Sequence, residues 1–287
     1  DTNSGVHSLK DLYSFTSVDY SQTIFIKPNG RSNVLLWVDG ASKGTRFDLS
    51  SGTIYSETSS VGKITAMNDG WFKISTTVLG TSGTAFNLYS LDNSGNISYT
   101  GDGTSGFYVY GAQLEQGSYA TSYIPTSGST VTRNQETYTK TGISDLINSE
   151  EGVLFFEMAA LSDDGTLRCI TLSDGGITNR VLIIYDTQSN SIRAVVVSTA
   201  GTSFDELHTV TSTLDFHKIA IKWKLNDFAL WIDGVEVATD TSGAALIGLD
   251  RIVFDVGNGT YDFYGKVKQL QIYKTALTDS ELATLTT

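Results

Sequence analysis

The 287-residue chain holds one cysteine, two prolines, three histidines and no long apolar run. With Cys169 alone no internal disulfide can form, so the fold does not depend on oxidation and redox chemistry fixes no compartment. Cys169 lies in the mostly apolar run 167–172 and reads as a buried small hydrophobe rather than a reactive thiol. Nothing approaches the roughly eighteen consecutive apolar residues of a membrane span, which argues against membrane insertion. Positive charge is scarce as well: 19 Lys+Arg stand against 31 Asp+Glu, a net charge of −12. Residues 1–138 carry 8 basic and 11 acidic side chains, and 139–287 carry 11 and 20. No basic cluster interrupts this balance, so a nucleic-acid partner or an anionic membrane is repelled, whereas a neutral polymer is not. The chain opens at Asp1 rather than methionine, which predicts a processed or excised piece with a signal peptide or further module upstream.

What is abundant points one way. Twenty-eight glycines, with Ser, Thr, Asn and Asp between short apolar runs, punctuate many short strands, and 14 Tyr, 13 Phe and 4 Trp favour pleated, half-buried surfaces. Strands are predicted at 23–27, 34–38, 45–49, 53–55, 62–66, 71–78, 85–89 and 107–114. They are separated by turns such as Asn68-Asp69-Gly70 and Asn93-Ser94-Gly95. The small, polar stretch 115–136 changes character, and a boundary is placed near residue 138. A second set follows at 152–160, 166–172, 180–186, 191–197, 209–213, 217–223, 228–232, 235–238, 251–256 and 265–273. Asp233-Gly234 is a hairpin signal, and Thr278 with Glu281 forms a capping box before a single helix at 278–285. The expected fold is all-β: two sandwich domains in tandem, 1–138 of jelly-roll type and 139–287 of concanavalin A-like type.

Two stretches carry family resemblances. FYVYGAQLEQGSYATSYIPTSGSTVTR (107–133), with NDGWFKIS (68–75), resembles a jelly-roll, carbohydrate-binding-module-like domain found in bacteriophage tail and virion proteins and in some secreted bacterial proteins. FHKIAIKWKLNDFALWIDGVEVAT (216–239) with FYGKVKQLQIYKTALTDSELATL (263–285) is similar to the concanavalin A-like, laminin-G-like sandwich family. In that family a tryptophan usually precedes the histidine, where this chain has Phe216. The resemblance implies a tail fibre, tail spike or adhesin that touches cell-surface glycans. It implies fold more firmly than function.

A catalytic constellation is not found. Paired carboxylates on one strand face, as glycoside hydrolysis needs, are missing; the nearest acid pairs, Asp163/Asp164 and Asp205/Glu206, sit in turn-like settings. His7 lies in a ragged N-terminal stretch, His208 precedes a strand and His217 reads as structural. Sugar recognition needs aromatic faces beside amide and carboxylate groups, and Trp37, Tyr89, Tyr99, Tyr108, Tyr110, Gln113 and Asn87 are the candidates. Strict alternation places Tyr108, Tyr110, Ala112 and Leu114 on one face, and Phe107, Val109, Gly111 and Gln113 on the other. Trp71 reads as core. Trp223 and Trp231 read as core or edge packing. Asp255, Asn258 and Asp262 form an oxygen-rich loop that would suit a structural Ca²⁺, although a plain turn is the simpler reading; no cofactor is required.

The resulting expectation is a non-catalytic glycan-recognition protein at a virion (tail) surface or in the extracellular space. Its partners would be cell-surface or extracellular polysaccharide and other virion proteins, with a homo-trimer open. A purely structural virion or adhesin part, and a polysaccharide hydrolase or lyase with dispersed groups, are the alternatives.

Overall fold

Residues 1–22 show little apolar alternation, and the sequence starts the first strand only at 23. The structure, a computed structural model describing residues 2–134 and 136–287, extends it to Ser4–Asn29 (β1), so the N-terminal stretch holding His7 is strand rather than ragged. Over His7–Leu12 the register is unbroken but neither face is buried, so no apolar alternation marks it; beyond, β1 bends, and its register slips between Leu12, Phe15, Val18 and Tyr20. The chain divides into two compact units, 1–133 and 134–287.

In the first unit β1 is followed by β2 (Asn33–Asp39), β3 (Lys43–Asp48), β4 (Thr53–Thr58), β5 (Ser60–Ala66), β6 (Phe72–Ser90), β7 (Ser98–Thr100) and β8 (Gly106–Gln116). The runs 71–78 and 85–89, read as two strands, are one long strand, β6. It pairs antiparallel with β1 along both halves: His7–Leu12 face Ser90–Ala85, and Tyr20–Ile26 face Val78–Phe72. Each long strand therefore serves two layers. The first layer runs β7-β1-β6-β2-β3-β4 and the second runs β8-β1-β6-β5. Between them lie Val34, Leu36, Val38 and Phe47 of the first layer and Ile24, Ile26, Ile74 and Val78 of the second. A polar link crosses this core, Thr45 Oγ1 to Thr76 Oγ1 at 2.6 Å.

The second unit contains β9 (Thr139–Lys140), β10 (Glu151–Ala160), β11 (Arg168–Ser173), β12 (Arg180–Tyr185), β13 (Ser191–Ser198), β14 (Gly201–Thr209), β15 (His217–Lys224), β16 (Phe228–Ile232), β17 (Val235–Asp240), β18 (Arg251–Val253), β19 (Gly265–Tyr273) and α1 (Asp279–Thr286). The strand expected at 209–213 lies earlier, at β14, where pairing with β13 outweighs the Thr/Ser-rich composition of 201–205. Two sheets, β17-β16-β15-β10-β19 and β14-β13-β12-β11-β18-β9, enclose a core that includes Phe156, Ile183, Phe204 and Trp223. The five-stranded sheet is apolar on its outer face too, because α1 covers it: Val153, Phe155, Ala229 and Trp231 pack against Leu282. Thr278 caps that helix with its side chain on the Glu281 N–H, and Glu281 bonds back to the Thr278 backbone, the capping box read from sequence. The whole described chain is an all-β sandwich fold with a single α-helix.

Candidate carbohydrate-binding surface

Strand alternation in β2 sends Val34, Leu36 and Val38 inward, so Leu35, Trp37 and Asp39 face outward from the first layer. Pairing registers then define rows on that outer face. One row is Lys10, Asn87, Trp37 and Gly44, and the next is Ser8, Tyr89, Leu35 and Arg46. Gly44 lacks a side chain for a visible reason: a Cβ there would lie 2.8 Å from Cε3 of Trp37 and closer still to the Leu36 carbonyl oxygen. The indole therefore lies across the sheet at Gly44, half-buried, with the glycine beneath it.

Around this ring the polar groups are linked. Lys10 Nζ donates to Asp39 Oδ2 at 2.9 Å, and the Tyr89 hydroxyl donates to Asp39 Oδ1 at 3.3 Å. The Lys10 ammonium holds the Asp39 carboxyl below the usual carboxylate range, with the neighbouring Asn87 amide adding to the effect, while burial pushes the Tyr89 phenol up. Asn87 itself is fully buried in this row, with its amide beside the Asp39 carboxylate.

The structure brings Trp37, Tyr89 and Asn87 together and places the other candidates elsewhere. Tyr99, on β7, stacks on His7 with ring centroids 4.3 Å apart, receives the Arg31 guanidinium over its face at 4.2 Å and meets the Ser90 hydroxyl. Tyr108, Tyr110 and Gln113 lie on the outer face of the second layer. Strict alternation fails here. Thr23 faces Gln113 and Phe25 faces Tyr110, leaving two residues, Gly111 and Ala112, opposite Ile24. This bulge, with Gly111 at φ +61°, returns Gln113 to the side of Tyr110, and it is Phe107, Val109 and Leu114 that pack on the core. The glycine inside an otherwise apolar strand was the available signal.

Gln113 and its neighbours hold a strap. Gln113 Oε1 accepts the Ile124 N–H at 2.9 Å, Glu115 accepts the Thr121 N–H and hydroxyl, and Lys73 reaches the Thr121 carbonyl. Tyr110 stacks on Phe25 at 4.6 Å, and Trp71, half-buried, meets Tyr110 edge-on. The GAQLE…YIPT…TR run thus lies as a strap over part of the outer face of this layer, leaving Tyr108 and Tyr110 exposed.

A larger cavity, about 420 Å³, opens where the N-terminal half of β1 and the edge strand β8 leave the sandwich seam. Leu9, Ile24, Phe86, Leu88, Val109 and Leu114 make its apolar wall, and Lys10, Asp11, Tyr110 and Gln113 also border it.

In the second unit the ionisable groups maintain turns and strands. Asp164 is bidentate to the buried Arg168, Asp163 accepts from Ser189 and Asn190, and Asp205 is bidentate to Arg193. His217 bridges Asp233 Oδ2 (2.5 Å) and the Ser212 carbonyl (2.9 Å), and Asp233 Oδ1 accepts the Lys218 N–H. Trp223 is core and bonds the Asn148 carbonyl, and Trp231 lies under α1. In the Asp255–Asp262 loop, Asp255 Oδ1 accepts the N–H groups of Gly257 and Gly259, and Asn258 Oδ1 accepts the Thr260 hydroxyl. Asp262 lies near Tyr264 and pushes that phenol up, after burial. Among the described residues no three His, Cys, Asp or Glu side chains gather as metal ligands. No helix among them is long and apolar enough to cross a membrane.

Residues 153–283, within the second unit, match the model of the concanavalin A-like lectin/glucanases superfamily. No curated protein sequence matches the chain. Solved structures similar to it include the CBM40 of the Ruminococcus gnavus IT-sialidase bound to α2,3-sialyllactose. That likeness has TM-score 0.43 and 15% identity, covering 52% of this chain and 98% of that one. Domains LG4-5 of the mouse laminin α1 chain give TM-score 0.36 and 12% identity over 94% and 86%. Sheep galectin-11 in complex with glycerol gives TM-score 0.34 and 6% identity over 49% and 99%.

Proposed function

We propose that this chain is a non-catalytic glycan-recognition protein and that the outer face around Trp37 is its contact surface. The observation that carries the reading is the indole laid across Gly44, flanked by Tyr89 and by the Lys10–Asp39 pair. A flat aromatic ring receives the C–H face of a pyranose, and neighbouring phenol, carboxylate and ammonium groups receive its hydroxyls. The match of residues 153–283 to a superfamily of lectins and glucanases supports a carbohydrate setting. The absence of an acid pair poised for hydrolysis among the described residues favours binding over cleavage. The setting proposed is a phage tail fibre or related virion surface, with host cell-surface polysaccharide as partner, on the strength of the 107–133 resemblance.

The test is a glycan array, bacterial capsular and O-antigen polysaccharides included, probed with the full chain and with its Trp37→Ala variant. Saturable binding that Trp37→Ala weakens about tenfold or more, without shortening of the polymer, is the expected result. Silence of the parent chain, or binding that ignores Trp37, removes this surface from the account.

A further inference from the structure

At the end of the same outer face, two residues along β3 from Gly44, Arg46 enters a second, smaller concavity. The separation along the strand is roughly 7 Å. The pocket holds about 70 Å³ and is lined by Arg46, Asn33, Tyr55, Asn93 and Gly95. A water needs about 10–15 Å³ of such volume, so a small oxyanion fits and a whole sugar ring does not.

Three features of Arg46 stand out. First, its Nη1 donates to the Gly95 carbonyl at 2.9 Å, and no carboxylate is its partner among the described residues. Arg31, Arg168, Arg193 and Arg251 each sit on an aspartate, whereas Arg46, like Arg180 on the Val256 carbonyl, bonds a main-chain oxygen. In a chain of net charge −12, this half-buried guanidinium spends only Nη1 and keeps its other N–H groups for the pocket. Second, the acids on the elements that build the pocket are spent on turns. Asp48 accepts from Ser50 and Ser51, and Asp92 accepts from Ser94 and Asn96, which draws both carboxyl groups below their ordinary range. Third, the ladder between β3 and β4 is bulged. Arg46 faces Ser56 and Phe47 faces Ile54, so Tyr55 is the extra residue, and its ring stands 68% exposed at the pocket rim. Bulges re-aim side chains in this way.

We propose that the Arg46 pocket is an anion subsite of the Trp37 surface, selecting polysaccharides whose repeat carries an acidic group beside the sugar stacked on the indole. This rests on the glycan-binding reading of that surface. The planar guanidinium donates two parallel N–H groups to a carboxylate or a sulfate ester, and Tyr55 walls the ring that bears it. Neutral sugars still stack on Trp37; the acid adds affinity.

The experiment titrates the full chain with a uronic-acid polysaccharide, with its carboxyl-reduced form, and with a sulfated galactan and its desulfated form. Arg46→Met, Arg46→Lys and Trp37→Ala are compared with the parent, each first shown to keep the parent's melting temperature. Expected is tighter binding of an acidic polymer than of its neutral form, weakened by added salt. Arg46→Met removes that preference, a loss of about tenfold or more, and leaves binding of the neutral form unchanged. Arg46→Lys, a point charge without the fork, retains part of it. Whether the uronic acid or the sulfate gains identifies the oxyanion. Equal binding of acidic and neutral forms by the parent, or an undiminished preference in Arg46→Met, overturns the subsite while Trp37-dependent binding stands. Failure of every polymer overturns both.

Discussion

Trp37 and Gly44 face each other across the β2–β3 ladder, and the indole occupies space that any side chain at residue 44 would need. Gly44→Ala would also drive a methyl into the Leu36 carbonyl oxygen, which is backbone and cannot yield cheaply. The variant is expected to lose about 3 kcal/mol of stability, whereas Trp37→Ala, half-exposed, loses less. Urea titrations of the two variants against the parent check the order. A Gly44→Ala protein as stable as the parent would show that the ring does not lie there.

Gln113 and Glu115 fix the strap over the second layer through the Ile124 and Thr121 N–H groups. Gln113→Leu should release Ile124, cost about 1–3 kcal/mol and raise amide exchange at Thr121 and Ile124 before the strands exchange. Hydrogen exchange by mass spectrometry reads this directly, and unchanged protection across 117–125 would assign the strap to another anchor.

His217 ties the start of β15 to the Asp233-Gly234 turn, in which Asp233 has φ +50° and Gly234 φ +82°, as a two-residue hairpin requires. Asp233→Ala removes partners of His217 and of the Lys218 N–H together. It should cost about 2–3 kcal/mol, and His217→Ala added to it should cost little more, because both remove one network. A full additive penalty in the double variant would show that the two side chains act separately.

Burial pushes the Cys169 thiol up to about 12 from its ordinary 9.0. Between those values the folded chain keeps a proton that the unfolded chain has released, so this contribution to stability is complete below about pH 9 and is lost as pH rises towards 12. The Tyr185 phenol, raised by burial beside Phe263, acts in the same direction. Denaturation midpoints should therefore fall above pH 9, less steeply in Cys169→Ala. Iodoacetamide at pH 8 should label the parent only in denaturant. Rapid labelling of the native chain would place the thiol at the surface.

How much was legible depended on range. Local chemistry announced itself: the Thr278/Glu281 cap, the Asp233-Gly234 hairpin and the burial of Cys169 and Trp223 follow from neighbouring residues alone. Features that depend on distant pairing did not. The bends of β1 scramble its period, the Gly111 bulge inverts the face of Gln113, and β6 reads as two strands because Gly80 and Gly83 interrupt it. At the candidate site, Trp37, Tyr89 and Asn87 are recognisable as residue types. Their grouping with Lys10, Asp39 and Gly44 is visible only once the β1–β6–β2–β3 register is known.

That register also orders events in time. Every ladder partner of β1 lies far downstream, from Phe72 opposite Ile26 to Gln116 opposite Tyr20. During synthesis the first strand therefore emerges with nothing to pair to, while the β2–β3–β4 meander can already close on itself. With loop-closure entropy opposing so remote a contact, docking of β1 is the late, slow step for this unit, and it completes both layers at once. A nascent chain halted before residue 72 would leave Tyr20, Ile24 and Ile26, buried in the finished unit, bare, a stretch for chaperones to hold until β6 arrives.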